Sequence, residues 1–82
     1  MQMSTADRVL ALLAEIAETD EVIQNLDLEL FANDVLDSMR TVELMVALSE
    51  AFGVAISPAG FERTQWATPR KIVAYMESRV GP

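Results

Sequence analysis

The stretch from Ser38 to Phe52 restricts the fold of this chain most, because its apolar residues recur at helical spacing. At roughly 100° per residue, Leu44, Met45, Leu48, Ala51 and Phe52 share one arc, with Thr41 between them. That arc is wide enough to be a core face. Met39, Val42 and Val46 fall on a neighbouring arc beside Ser38, and Arg40, Glu43, Ala47 and Glu50 fill the remaining side. Gly53 suits the position just past a helix end, where a left-handed backbone is common.

Two further segments carry the same period. From Ser4 to about Glu18, Val9, Leu12, Leu13 and Ile16 mark one helical face. Ser4 is placed as N-cap and Asp7, three residues on, as a weaker capping-box partner. The last segment starts at Thr68-Pro69, a cap followed by the residue best tolerated in a first helical turn, and runs to about Arg79. Its apolar face is Ile72, Val73, Met76 and Val80, and Gly81-Pro82 stops it. Val54-Ala55-Ile56 reads as extended, and Ser57-Pro58 as the start of a short helix of about one or two turns.

Thr19 to Asp37 lacks this regularity. Leu26, Leu28 and Leu30 alternate with Asp27 and Glu29, which locally resembles a strand. No partner strand is evident, so the segment reads as a long loop pinned by its leucines and Phe31. The expectation is all-α: a small antiparallel four-helix bundle, three main helices plus one short helix, with a long first loop. Residues 1–82 are expected to form a single domain.

Composition narrows the function. A chain of 82 residues buries only about 60% of the surface its unfolded form exposes, which leaves little room for a substrate cavity. Its 6 basic and 13 acidic residues give a net charge of −7, the wrong sign for nucleic acid. Basic protein surfaces are better partners. The chain has no cysteine and no histidine. Thiolate chemistry, imidazole or thiolate zinc sites and the usual base for a nucleophilic serine are therefore all missing. Neither a signal peptide nor an apolar run of membrane-spanning length is evident, so a soluble cytoplasmic protein without membrane insertion is expected.

Local chemistry reads Ser38 as an N-cap and Asp37 as an acid favoured by the helix dipole. The apolar arc of Met39, Val42 and Val46 has two readings. Either the long loop folds over it, or it is an exposed patch for a partner, rimmed by charge.

The run Asp34-Val35-Leu36-Asp37-Ser38-Met39, followed by Thr41-Val42-Glu43-Leu44, resembles the phosphopantetheine attachment region of acyl carrier proteins. Phe52-Gly53-Val54, Phe61-Glu62-Arg63, Trp66-Ala67-Thr68-Pro69 and Lys71-Ile72 continue the likeness downstream. Asn25-Leu26-Asp27-Leu28-Glu29-Leu30-Phe31 continues it upstream. Together these pieces are similar to one branch in particular, the D-alanyl carriers of teichoic-acid D-alanylation, over about Asp20 to Glu77.

The resemblance implies an acyl-carrier fold and a carrier rather than an enzyme. A phosphopantetheinyl transferase would attach 4′-phosphopantetheine covalently to Ser38, and Asp37 would help position that enzyme. The thiol of the arm would hold D-alanine as a thioester, loaded by a cytoplasmic D-alanine–carrier protein ligase and passed to a membrane-bound O-acyltransferase. Met39, Arg40, Val42, Glu43 and Val46 match the partner-binding side of such carriers, which act as monomers. Arg40 departs from the glycine or acid expected at its position. A related carrier with another cargo is the alternative within the family; an unmodified acidic binding module is the alternative outside it.

Other residues read more plainly. Trp66, Met45 and Met76 are core candidates. Asp27, Glu29 and Asp34 fail the calcium-loop pattern and read as solvated acids.

Overall fold

A computed structural model describes residues 4–56 and 62–80, and among these every regular element is helical. The order is α1 (Thr5–Ala17), α2 (Glu21–Gln24), α3 (Ser38–Phe52), a 3-10 turn (Arg63–Trp66) and α4 (Pro69–Val80). The short helix expected after Ser57-Pro58 lies outside the described residues, as does the Gly81-Pro82 stop.

The caps explain where the long helices begin and end. Ser4 Oγ accepts from the Asp7 amide at 3.1 Å, closing the first turn of α1. Glu18 ends that helix in a left-handed conformation with φ 58°, and its amide and that of Thr19 bond back to the Ala14 carbonyl. Gly53 ends α3 at φ 66° and donates to Ser49 O at 2.9 Å. Here the absence of a Cβ removes the penalty a left-handed residue would otherwise incur. Thr68 Oγ1 accepts from the Lys71 amide at 3.2 Å, and Pro69 is the first residue of α4.

The core is one cluster. α1 gives Val9, Leu13 and Ala17; α3 gives Leu44, Met45 and Leu48; α4 gives Ile72 and Met76; Trp66 enters from the 3-10 turn. α1 packs against α2, α3 and α4. Trp66, Met45 and Met76 are buried, as their sequence positions suggest. The Trp66 ring meets Tyr75 at a centroid distance of 5.4 Å, tilted 52°.

The region between α1 and α3 differs from a plain loop. It contains α2, whose Val22 is buried in the core. Four residues are too few to show a helical period, and the Thr19 hydroxyl, which accepts from the Glu21 amide at 3.2 Å, sets the turn. Leucines do pin the rest of the segment, with Leu30 and Leu36 fully buried. Backbone bonds pin it as well. Leu30 N–H donates to Ala67 O at 2.8 Å and Arg70 N–H to Leu26 O at 3.0 Å, so the loop is laced to the entrance of α4. Leu30 O in turn accepts from Val35 and Leu36, and Asp34 turns the chain at φ 57°. Short polar side chains such as Asp tolerate that left-handed conformation better than most. This lacing presents the chain to the start of α3.

Candidate functional site

Asp37, not Ser38, is the cap of α3. Asp37 is extended, with φ −122° and ψ −175°, and its Oδ1 accepts from the Arg40 amide at 2.8 Å. Its carbonyl takes the Thr41 amide at 2.9 Å and the Thr41 hydroxyl at 2.6 Å. The local reading of Ser38 as N-cap is thereby corrected: an aspartate one residue earlier does that work, with the added attraction of a carboxylate for the helix dipole. Ser38 becomes the first helical residue. It is exposed, and among the described residues its hydroxyl makes no hydrogen bond.

The neighbouring apolar arc is open. Met39 is 71% exposed, Val42 47% and Val46 52%. The loop does not fold over them, because Leu30 and Leu36 carry it into the core instead. Glu43 is exposed on the same helix. The three apolar side chains lie about one turn apart, in a row that begins beside the Ser38 hydroxyl.

Arg40 points elsewhere. Its guanidinium donates to Ala17 O at 3.2 Å and pairs with Glu18 at 3.0 Å, with a longer contact to Val35 O at 3.5 Å. It therefore staples the carbonyl end of α1 to the start of α3, and its charge answers the negative end of the α1 dipole. Asp27, one of the loop acids, is also engaged. It pairs with Arg70 at 3.0 Å, and the hydrogen bond and charge of that guanidinium hold its carboxyl below the ordinary value.

Ser38 stands on the rim of an open groove of about 430 Å³ between the loop, α3 and the 3-10 turn. Leu36, Val42 and Met45 give it apolar lining, Asp34 and Asp37 acidic lining, and Phe31 and Arg63 line it as well. The Arg63 guanidinium lies over the Phe31 ring, 4.5 Å from the centroid. Periodicity does not reveal this groove, since its walls come from three separate segments. The only hint in the sequence is Arg63 within the Phe61-Glu62-Arg63 piece.

Chemically, the site offers a nucleophile without a base. Among the described residues no side chain hydrogen-bonds to the Ser38 hydroxyl. The hydroxyl is exposed at the first turn of α3, where a second protein can reach it. The residues fit a covalent group attached through phosphate: an accessible primary hydroxyl, at a helix N-terminus where an anion is favoured, with open space beside it. Among the described residues no helix is long and apolar enough to cross a membrane.

Comparison with known proteins agrees with this chemistry. The family described as "Phosphopantetheine attachment site" matches residues 7–76. A D-alanyl carrier protein of Listeria monocytogenes is 41% identical over 76 residues, 93% of this chain and 97% of that protein. One from Staphylococcus saprophyticus is 43% identical over 75 residues, 92% and 96% of the two chains. One from Lacticaseibacillus casei is 48% identical over 69 residues, 84% and 85%. The chain belongs to the phosphopantetheine-attachment family and, within it, to the D-alanyl carrier proteins: it is a carrier, not an enzyme, and works through covalently bound 4′-phosphopantetheine.

Proposed function

We propose that Ser38 is the attachment point and that the cargo is D-alanine, held as a thioester for delivery to teichoic or lipoteichoic acid. The observation that carries this reading is the division of labour at the start of α3. Asp37 caps the helix, which leaves the Ser38 hydroxyl exposed and unspent. A phosphopantetheinyl transferase would transfer the arm from coenzyme A: the Ser38 oxygen would bond to the arm's phosphorus as the pyrophosphate P–O bond breaks, releasing 3′,5′-ADP and the hydroxyl proton. Once attached, the group supplies a terminal thiol on a flexible tether. The chain's own residues hold the tether's root at a fixed point and present the docking surface.

Asp37 contributes a carboxylate beside the reacting hydroxyl, which the transferase reads. Met39, Val42 and Val46 form the apolar centre of the partner face, with Glu43 on its rim. Arg40 is assigned to the partner-binding set in a supporting role, steadying the start of α3 through its bonds to α1. The partners are the transferase, a D-alanine–carrier protein ligase and a membrane-bound O-acyltransferase, met by a cytoplasmic monomer. The net charge of −7 favours basic protein surfaces over nucleic acid.

Intact-mass analysis after incubation with coenzyme A and a transferase tests the attachment. The wild-type chain should gain the phosphopantetheine mass and Ser38→Ala should not. Modification of the alanine variant would refute the site. Offering the primed protein to a ligase with a panel of D- and L-amino acids tests the cargo, and preferential loading of anything but D-alanine would refute it.

A further inference from the structure

We propose that Arg40 is a positioning residue for the priming of Ser38: its guanidinium ties the backbone around the serine to the end of α1, so that the acceptor oxygen is held in one place when the transferase meets it. The inference rests on the assignment of Ser38 as attachment point and gives Arg40 a task there other than contact with a partner.

The first argument concerns what Arg40 holds. Its amide donates to Asp37 Oδ1 at 2.8 Å. Its guanidinium donates to Ala17 O at 3.2 Å and reaches Val35 O at 3.5 Å. Glu18 takes the other side of the guanidinium at 3.0 Å. Arg40 thus binds the residue just before Ser38, touches the loop that leads into it, and fastens both to a second helix. Ala17 is the last residue of α1, and carbonyls at a helix end lack partners within the helix. A planar guanidinium bridges several such acceptors at once, because its donors form one rigid fork. Helix ends fray, and this one carries the reacting group, so a tie to α1 acts where order matters most.

The second argument concerns where the charge goes. The Arg40 side chain is 34% exposed, against 76% for that of Glu18. Its donors are spent on α1 and the loop rather than offered to solvent. That disposition suits holding the chain and not meeting the anionic phosphates of coenzyme A.

The third argument is a matched tie elsewhere. Arg8, near the start of α1, donates to Ala51 O at 2.6 Å near the end of α3 and lies over the Phe52 ring, 4.2 Å from its centroid. Each arginine stands near the start of one helix and fills a carbonyl near the end of the other. The two ties are alike in kind, but only that of Arg40 adjoins the acceptor. Transfer to phosphorus needs the attacking and leaving oxygens roughly in line, and a small misplacement of a reacting atom slows it steeply. Releasing Arg40 loosens the root of α3 and leaves Met39, Val42 and Val46 exposed for docking as before.

Priming kinetics with a transferase and coenzyme A test this, at a temperature where thermal melts show each variant folded. Arg40→Met should lower kcat about tenfold and leave KM for the carrier within about twofold of wild type. Arg8→Met, which cuts the matched tie, should be primed like wild type. Arg40→Lys should recover part of the rate, since an ammonium keeps the charge but lacks the fork. A raised KM with unchanged kcat in Arg40→Met would overturn the proposal in favour of direct contact with the partner. Wild-type kinetics in Arg40→Met, or equal slowing in both methionine variants, would reduce Arg40 to a tie of the fold alone. Should Arg40→Met not fold, Arg40→Lys decides: a lowered kcat supports the positioning and a wild-type rate refutes it. All of these leave the carrier reading intact. A wild-type chain that gains no mass, or a Ser38→Ala chain that does, would instead overturn the attachment site and the positioning with it.

Discussion

Replacing Asp37 separates two jobs that this residue is assigned. Its side chain satisfies the Arg40 amide at 2.8 Å, and its charge sits at the positive end of α3. Loss of a good N-cap to alanine costs about 1 kcal/mol, within a range of roughly 0.5–2. Loss of a negative charge at a surface helix N-terminus costs about 0.3–1 kcal/mol more. Asp37→Ala should therefore lose about 1.5 kcal/mol. For a domain of this size each kcal/mol moves the melting temperature by roughly 4–8 °C, so the drop should be about 6–12 °C. Asp37→Asn keeps the capping oxygen and loses only the charge. It should fall by no more than about 1 kcal/mol, and salt should narrow its gap from wild type. Thermal melts read both. Priming rates, measured well below either melting temperature, then read the other job. If the transferase recognises the carboxylate, the asparagine variant should be primed slowly although it is nearly as stable as wild type. An alanine variant that melts with wild type would refute the cap. An asparagine variant primed at the wild-type rate would refute recognition of the charge and leave Asp37 as a structural residue.

Arg40→Met keeps the apolar stem but removes the staple to Ala17 O. Weighing a charge-assisted bond to a partly buried carbonyl against ready access of water, it should cost about 1–2 kcal/mol in a denaturant titration. Glu18→Gln, which loses only an exposed ion pair, should cost less than about 0.5 kcal/mol, and equal costs would contradict the staple. Val46→Asp changes a half-exposed residue, so its stability should stay within about 0.5 kcal/mol of wild type while loading by the ligase slows. Unchanged loading would remove Val46 from the docking face. Asp27 has a carboxyl pKa lowered from 3.8 by Arg70. Its contribution is full above that unfolded value and is lost as pH falls through the lower folded one. Asp27→Asn should thus be slightly less stable than wild type at neutral pH and equal to it in strong acid, and a gap that widened on acidification would contradict the sign.

The long helices were legible because their signals are local. Ser4, Gly53 and Thr68-Pro69 act within one turn of themselves, and the core stripe of α3 comes from spacing alone. The exposed arc was legible as geometry but not as exposure, since only the path of the loop decides whether it is covered. That path depends on Leu30 and Ala67 meeting, a contact that no window along the chain contains. Two details at the start of α3 escaped for one reason. Ser38 and Asp37 are both good caps, and the choice between them turns on which backbone is already extended. Likewise the direction of Arg40 is set by where the carbonyls of α1 end. The groove went unseen because it is an intersection of three segments. The match to known carriers supplied the chemistry that spacing does not encode.

The lacing of Leu26 and Leu30 to Ala67 and Arg70 has a consequence for the order of events during synthesis. Ser38 leaves the ribosome before its platform can exist, because the partners of the loop lie beyond residue 66. Until α4 docks, the loop before the serine has no lacing to hold it. If Ser38 is the attachment point, priming should wait for α4 to dock, and a chain cut before Ala67 should keep its hydroxyl and still go unprimed. Amide exchange at Leu30 would report that docking, protected in the finished chain and fast in one cut before Ala67.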